Sequence, residues 1–259
     1  MKNKSLIVIL SILAFIVLIV ILSSTIFCLK SVELNFMSNT INLTDKQEEI
    51  INSGEFKYNQ SIFFANKRNY IAKLEEQNPY IKVVNIETIF PNKLVINCVE
   101  RNELFAVKSY DGENFKNYLI VDDELKILNT QTEFTNIYTN SILLTIESER
   151  VQTNIAGQTL VSLNSMLIKK LATELYAYNN NSLMLKANFE EIIINDQNKS
   201  NIKIIMRSGV EIVLKDMQNK LTEKFMLALS YYNNLEDKTK GTITTYENNE
   251  GNIVGYFYE

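Results

Sequence analysis

The strongest pattern in the chain is at its start. From Ser5 to Leu29 it reads SLIVILSILAFIVLIVILSSTIFCL, 25 residues without a charge. As a helix this run spans roughly 37 Å at 1.5 Å per residue, enough to cross a hydrocarbon core of about 30 Å with some tilt. A cleaved signal peptide would have an apolar core of only about 7–15 residues and an A-x-A-like site. Phe27 before Cys28 also disfavours lipoprotein-type cleavage. The pattern predicts an uncleaved transmembrane helix over 5–29. Lys2 and Lys4 precede it and only Lys30 follows closely. The positive-inside bias therefore places residues 1–4 in the cytoplasm and residues 30–259 outside it.

Past the anchor the period shortens to two. Residues 32–37, VELNFM, alternate and predict a strand. In NLTDKQEEIINSG, Thr44 and Gln47 have capping-box spacing, and Gly54 suits a helix end. A second helix is predicted over 62–77, with Phe63, Tyr70, Ile71 and Leu74 at helical spacing. Asn78 before Pro79 ends it, because a residue ahead of proline is pushed out of the helical region. Two strands follow, about 81–88 and 93–99. In the first, Val84 and Ile86 are expected to face opposite to Ile81 and Val83. In the second, Leu94, Ile96 and Cys98 share a face. The only two prolines, Pro79 and Pro91, each open one of these strands, where no ladder N–H is needed. The order strand, helix, helix, strand, strand predicts two helices on one face of a small sheet.

Beyond Arg101 the elements change. NYLIVDDELKILN (117–129) predicts a hairpin turning at Asp122-Asp123, and SILLTIE (141–147) a further strand. Leu163, Leu167, Leu171 and Leu175 at steps of four predict a helix over 161–178. A hairpin over 202–214 turns at Ser208-Gly209. A helix over 217–234, N-capped by Asp216, carries Met217, Leu221 and Phe225. Strands at 241–246 and 252–259 close the chain. The fold class is α+β: a transmembrane helix (5–29), a β-α-α-β-β domain (30–101) and a second α+β domain with a mainly antiparallel sheet (102–259).

Composition narrows the function. The net charge is −4, which excludes the basic footprint of a nucleic-acid partner. Histidine is absent, and with it the commonest general base and metal ligand. The two cysteines, Cys28 and Cys98, read as buried thiols rather than a disulfide. Asp122-Asp123 and Glu190-Glu191 are the candidate carboxylate pairs, and both read as solvated surface charge, as does Lys169-Lys170. No G-x-S-x-G, Walker or Rossmann glycine pattern occurs. No catalytic residue, cofactor, metal or small-molecule substrate is expected. The last strand is the feature that invites a partner. Three of seven glycines, Gly241, Gly251 and Gly255, lie in the final 19 residues, and IVGYFYE is aromatic and strand-prone. Such a strand is either an edge that a partner covers or an internal strand paired on both sides.

The stretch from 78 to 101 resembles the POTRA domain signature. Asn78, Pro79, Tyr80 and Ile81 are followed by Phe90, Pro91 and Asn92, then Leu94 and Ile96, then Glu100 and Arg101. Glu87 stands where that pattern usually has a basic residue, and no proline follows Arg101. With the anchor ahead and a β-rich domain behind, the whole chain resembles the bacterial FtsQ/DivIB family. The resemblance implies a non-enzymatic membrane scaffold of the division septum. It implies DivIC/FtsB-like and FtsL-like bitopic partners and a part in controlling septal peptidoglycan synthesis. It further implies that a partner segment adds as a strand at the end of the second domain. The family pattern there corresponds to Tyr246, Glu247, Gly251, Val254, Gly255 and Tyr256, with Ile253 and Tyr258 completing the docking strand. The rival expectation is another anchored POTRA protein serving as a binding module in export or envelope assembly.

Overall fold

The structure, a computed structural model, describes residues 2–37, 45–134, 141–152, 154–196 and 200–259. It divides into two units, Met1–Arg101 and Asn102–Glu259. Helix α1 covers Lys2–Thr25. Its side chains are described over 7–21, where the apolar residues all face outward. Among the described residues no helix is long and apolar enough to cross a membrane. The 25-residue run of the sequence extends past that described stretch at both ends.

The remainder of the first unit is built from β1 (Ser31–Phe36), α2 (Gln47–Ser53), a 3-10 turn (Ile62–Phe64), α3 (Lys67–Gln77), β2 (Ile81–Ile89) and β3 (Lys93–Glu100). The strand order is β1-β3-β2, with β1 parallel and β2 antiparallel to the central β3. Leu94, Ile96 and Cys98 sit on the buried face of β3 as their alternation requires, against Ile50, Tyr70 and Leu74 of the helices. Both cysteines are free and buried.

Several local expectations change. The capping residue Thr44 lies outside the described residues, and α2 starts after Lys46 with no side-chain cap. Gly54 ends α2 in a right-handed conformation, so its need is steric: a Cβ there would lie 2.4 Å from the Phe56 ring. The helix expected over 62–77 is split. Asn66 caps α3 by accepting from Asn69 N at 3.2 Å, which breaks the chain after the 3-10 turn. Phe63 consequently points to solvent instead of joining Tyr70 and Leu74. In β2 the expected faces are revised by a bulge between Val83 and Asn85. An extra residue resets the alternation, so Ile86 is buried with Ile81 and Val83 while Val84 is exposed. Each proline stands two residues ahead of its strand, in a turn, rather than at its first position. Asn78 closes α3 by donating Nδ2 to Leu74 O (2.9 Å) and Ser53 Oγ (2.6 Å). Glu87 joins a polar row across the sheet's open face. Its Oε1 accepts from Asn97 Nδ2 (2.7 Å), and Asn97 Oδ1 accepts from Asn35 (2.7 Å).

Among the described residues the second unit is built on one nine-stranded sheet. Its strands are β4 (Phe105–Asp111), β5 (Asn114–Val121), β6 (Ile127–Gln131), β7 (Ile142–Ile146), β8 (Phe189–Asn195), β9 (Asn201–Met206), β10 (Glu211–Leu214), β11 (Thr242–Glu247) and β12 (Ile253–Tyr258). The spatial order is β12-β11-β10-β9-β8-β7-β4-β5-β6. Five neighbouring pairs are antiparallel and three parallel. Parallel neighbours need long crossovers. Helices α4 (Ser165–Tyr178) and α5 (Ser182–Asn188) carry the chain from β7 to β8, and α6 (Leu221–Asn234) carries it from β10 to β11. Ile192, Ile204, Ile212 and Leu214 of the sheet pack with Leu171, Leu175, Phe225 and Leu229 of the helices in one core.

Here too polar side chains move the boundaries. Helix α4 begins at Ser165, because Glu149 takes up Ser162 Oγ (2.7 Å) and Leu163 N, leaving Leu163 exposed. The helix expected from 217 begins at Leu221, and Asp216 is not its cap. Lys224 is wholly buried, and its Nζ donates to Asp216 O and Asn219 O, each at 2.7 Å. The chain loops around that ammonium, with Asp216 and Lys220 at positive φ, instead of starting the helix. Burial lowers the Lys224 pKa from its ordinary value. Asp122 is buried, which corrects the reading of it as solvated. Its Oδ1 accepts from Glu124 N (3.0 Å) and Lys126 N (2.7 Å), so it builds the β5–β6 turn. Glu191 accepts from the Thr145 hydroxyl at 2.7 Å.

Candidate functional site

The end of the chain forms the rim of the large sheet. After β11 the chain reverses through residues 248–252. Asn248 Oδ1 accepts from Glu250 N and Asn252 N, and Asn248 N donates to Asn252 O at 2.9 Å. Gly251 adopts φ +82°, a conformation glycine enters without steric cost. Lys220 clamps the turn by donating to Glu247 Oε1 (2.8 Å) and to Gly251 O.

β12 then runs antiparallel to β11, with Val254 opposite Tyr246, Gly255 opposite Thr245, Tyr256 opposite Thr244 and Tyr258 opposite Thr242. The backbone direction of each residue follows from the neighbouring strand. Glu211 N donates to Gly241 O and Lys215 N to Thr245 O, so the odd-numbered residues of β11 point toward β10. In an antiparallel ladder hydrogen-bonded and non-hydrogen-bonded pairs alternate. Thr242, Thr244 and Tyr246 therefore pair with Tyr258, Tyr256 and Val254. The N–H and C=O groups of Ile253, Gly255 and Phe257 point off the sheet. Among the described residues no further strand lies beyond β12. The opposite rim differs: Ile127 of β6 bonds with Gln158 and Gly157, so a loop covers it.

The two faces of β12 have different tasks. Phe257 packs against the core and Gly255 lies over Tyr231 of α6, where a Cβ would sit 3.1 Å from the ring. The Tyr231 hydroxyl donates to Gly255 O at 3.0 Å, leaving that carbonyl a second lone pair. On the other face Tyr256 and Tyr258 are 42% and 51% exposed. Their rings stack at 5.8 Å, and Tyr256 meets Tyr246 edge-on at 6.1 Å. Lys215 Nζ lies 5.9 Å from the Tyr246 centroid.

The structure thus brings together all seven residues singled out at this end, Tyr246, Gly251, Ile253, Val254, Gly255, Tyr256 and Tyr258. Sequence reasoning missed Tyr231, Lys215 and Lys220, which hold the rim from below and beside. Each meets its partner from 24 to 31 residues away, Tyr231 at Gly255, Lys215 at Tyr246 and Lys220 at Glu247 and Gly251, which no local period reveals.

Comparison with known proteins bears on what such a rim is for. Residues 39–101 match the family described as POTRA domain, FtsQ-type. The chain is 26% identical over 194 residues to the cell division protein DivIB of Clostridium tetani, a match covering 73% of this chain and 66% of that protein. It is 31% identical over 132 residues to DivIB of Clostridium acetobutylicum, covering 50% and 42% respectively. It is 37% identical over 120 residues to DivIB of Clostridium botulinum strain Hall, covering 44% and 45%. Each match spans less than two thirds of the relative's length.

Proposed function

We propose, from the premise that this chain belongs to the FtsQ/DivIB family of cell-division proteins, that it is a non-enzymatic scaffold of the division septum. In this reading residues 1–4 are cytoplasmic and 5–29 anchor the protein as a single-pass helix. Residues 30–101 form the POTRA domain and 102–259 an extracytoplasmic β domain. The anchor is supported by the 25-residue uncharged run and its lysine flank. The partners are small bitopic proteins of the DivIC/FtsB and FtsL type, and the complex helps control septal peptidoglycan synthesis. The observation that carries the reading is the open rim at β12. Outward backbone groups at Ile253, Gly255 and Phe257 supply a ladder for an added strand, and the half-exposed tyrosines beside it supply a surface to read side chains.

In strand addition the main chain provides affinity and alternate side chains specificity. Tyr256 is the anchor, being central and apolar-faced with a hydroxyl at its tip. Tyr256→Ala weakens binding of a DivIC-like extracellular segment by about 2 kcal/mol, measured by calorimetry, while the melt and circular dichroism of the protein are kept. Ile253→Pro removes an outward donor and weakens the complex in the same way. A proline at 254 instead removes an inward bond to β11 and damages the sheet itself. Undiminished affinity in both Tyr256→Ala and Ile253→Pro would reject β12 as the docking edge. A uniform envelope signal from a fluorescently tagged copy, in place of a midcell band, would reject the septal role.

A further inference from the structure

A second unpartnered surface lies at the other end of the chain. The segment that follows α1 is stitched into the first unit on both sides. Ile62 N donates to Phe27 O (2.8 Å), Leu29 N to Gln60 O (2.8 Å) and Asn59 N to Leu29 O (2.9 Å), while Lys30 N donates to Asn92 O (2.9 Å). These bonds draw the 3-10 turn and the β2–β3 turn up against the foot of α1. Three phenylalanines from three separate segments meet there. Phe27 and Phe63 lie 5.3 Å apart, Phe63 and Phe90 5.6 Å, and Phe27 and Phe90 6.1 Å between centroids. Phe63 is 56% and Phe90 58% exposed, and Phe64 beside them is 86% exposed. Ile26 and Ile89, the sequence neighbours of Phe27 and Phe90, are exposed as well.

An exposed apolar cluster of this kind marks an interaction site, and its surroundings point to what covers it. The uncharged run that holds α1 continues through Ile26 and Phe27, and no charged residue intervenes before Lys30. The rings are all phenylalanine, without a hydroxyl or indole N–H to be satisfied by a protein partner or water. Lys57 shares a shallow cavity with Phe64, and Lys30 follows the patch directly. Both are exposed, in position to reach lipid phosphates above inserted rings.

We infer that this foot of the first unit is a membrane-seating surface: Phe63, Phe64 and Phe90 enter the outer boundary of the bilayer beside the anchor and fix the domain's orientation on it. The inference rests on the anchor reading of residues 5–29. Its function is to add a second point of membrane attachment beside the anchor, so that the domain presents the same face outward in every copy.

The chain has no tryptophan, which allows single-tryptophan reporters in the full-length protein. Three variants serve, each reconstituted in phosphatidylcholine–phosphatidylglycerol nanodiscs with and without brominated acyl chains. Phe15→Trp reports the anchor. Phe64→Trp reports the foot, and its exposure means the substitution does not disturb the core. Val84→Trp reports an exposed position on β2 about 20 Å along the strand from Phe90. The expected result is blue-shifted emission and loss of most intensity in brominated discs for Phe15→Trp and Phe64→Trp, with Val84→Trp unquenched. Quenching at Phe15→Trp with water-like, unquenched emission at Phe64→Trp overturns the inference and leaves the anchor intact. Blue-shifted but unquenched emission at Phe64→Trp means a protein surface covers the patch, and also overturns it. Equal quenching at Val84→Trp and Phe64→Trp removes the claim of a fixed pose. No quenching at Phe15→Trp removes the anchor and, with it, this inference.

Discussion

At the scale of residues, the molecule depends on a few side chains whose surroundings no neighbour in sequence announces. Cys98 lies wholly buried in the centre of the small sheet. Burial pushes its thiol from the ordinary 9.0 up to about 11. Between those values the unfolded chain has lost the proton and the folded one keeps it, so the unfolded state binds fewer protons and stability falls as pH rises. The contribution is fully present below pH 9.0 and is lost by about pH 11, an effect of roughly 2–3 kcal/mol. Cys98→Ala should lower stability at neutral pH slightly, through a small cavity, and flatten this decline. Urea melts of both proteins at pH 7.5 and pH 10.5 check it, and an unchanged slope would show that Cys98 is not its source. Gly54 and Gly255 act by the opposite device, a missing side chain. Each leaves room for an aromatic ring, that of Phe56 or Tyr231, which a Cβ would displace.

At the scale of elements, side chains decide where helices and strands begin. Asn66 accepts the N–H of Asn69 and thereby starts α3 afresh after the 3-10 turn. Asn66→Ala should cost about 1 kcal/mol of stability in the first unit, seen as a lowered thermal midpoint without change in partner affinity. A variant as stable as the parent would mean that the following residues start the helix unaided. The bulge at Val84 works on the same scale. Without that extra residue a period of two would place Ile86 on the exposed face, and the small sheet would lose one of its buried side chains.

At the scale of the whole molecule, the division falls after Arg101. Arg101 belongs to the first unit by its bonds. Its N donates to Tyr80 O (2.8 Å), its Nε to Ile81 O (3.3 Å) and its Nη2 to Glu75 at 3.1 Å, a largely buried ion pair. Three residues later Leu104 N donates to Val121 O inside the second sheet. Glu75→Ala removes the carboxylate that faces this buried guanidinium, which should cost about 3 kcal/mol. The expected calorimetric trace has a first-unit transition shifted down and a second-unit transition unmoved. Both transitions shifting together would show that the two units melt as one.

The sequence by itself determined the uncharged apolar run at its start, the order strand–helix–helix–strand–strand, and two hairpins and two helices of the second unit, but not α5. Those follow from local rules: the period of apolar residues, prolines that cannot donate to a ladder, and glycines at turns. The family signature from Asn78 to Arg101 was legible for the same reason, since its residues cap, turn and alternate within one short stretch. Strand β4 escaped, because FAVKSYD lacks a clean alternation and is buried on both faces at its start. Only the tertiary structure decided that β12 is a rim, since which strand stands last depends on crossovers that bring β10 and β11 together across α6. It alone decided that Tyr231 backs Gly255, that Lys224 is buried, and that Phe27, Phe63 and Phe90 meet at the foot of α1. In each case the partners lie far apart along the chain, and the free energy that joins them is gained only when whole elements pack, which no local period encodes.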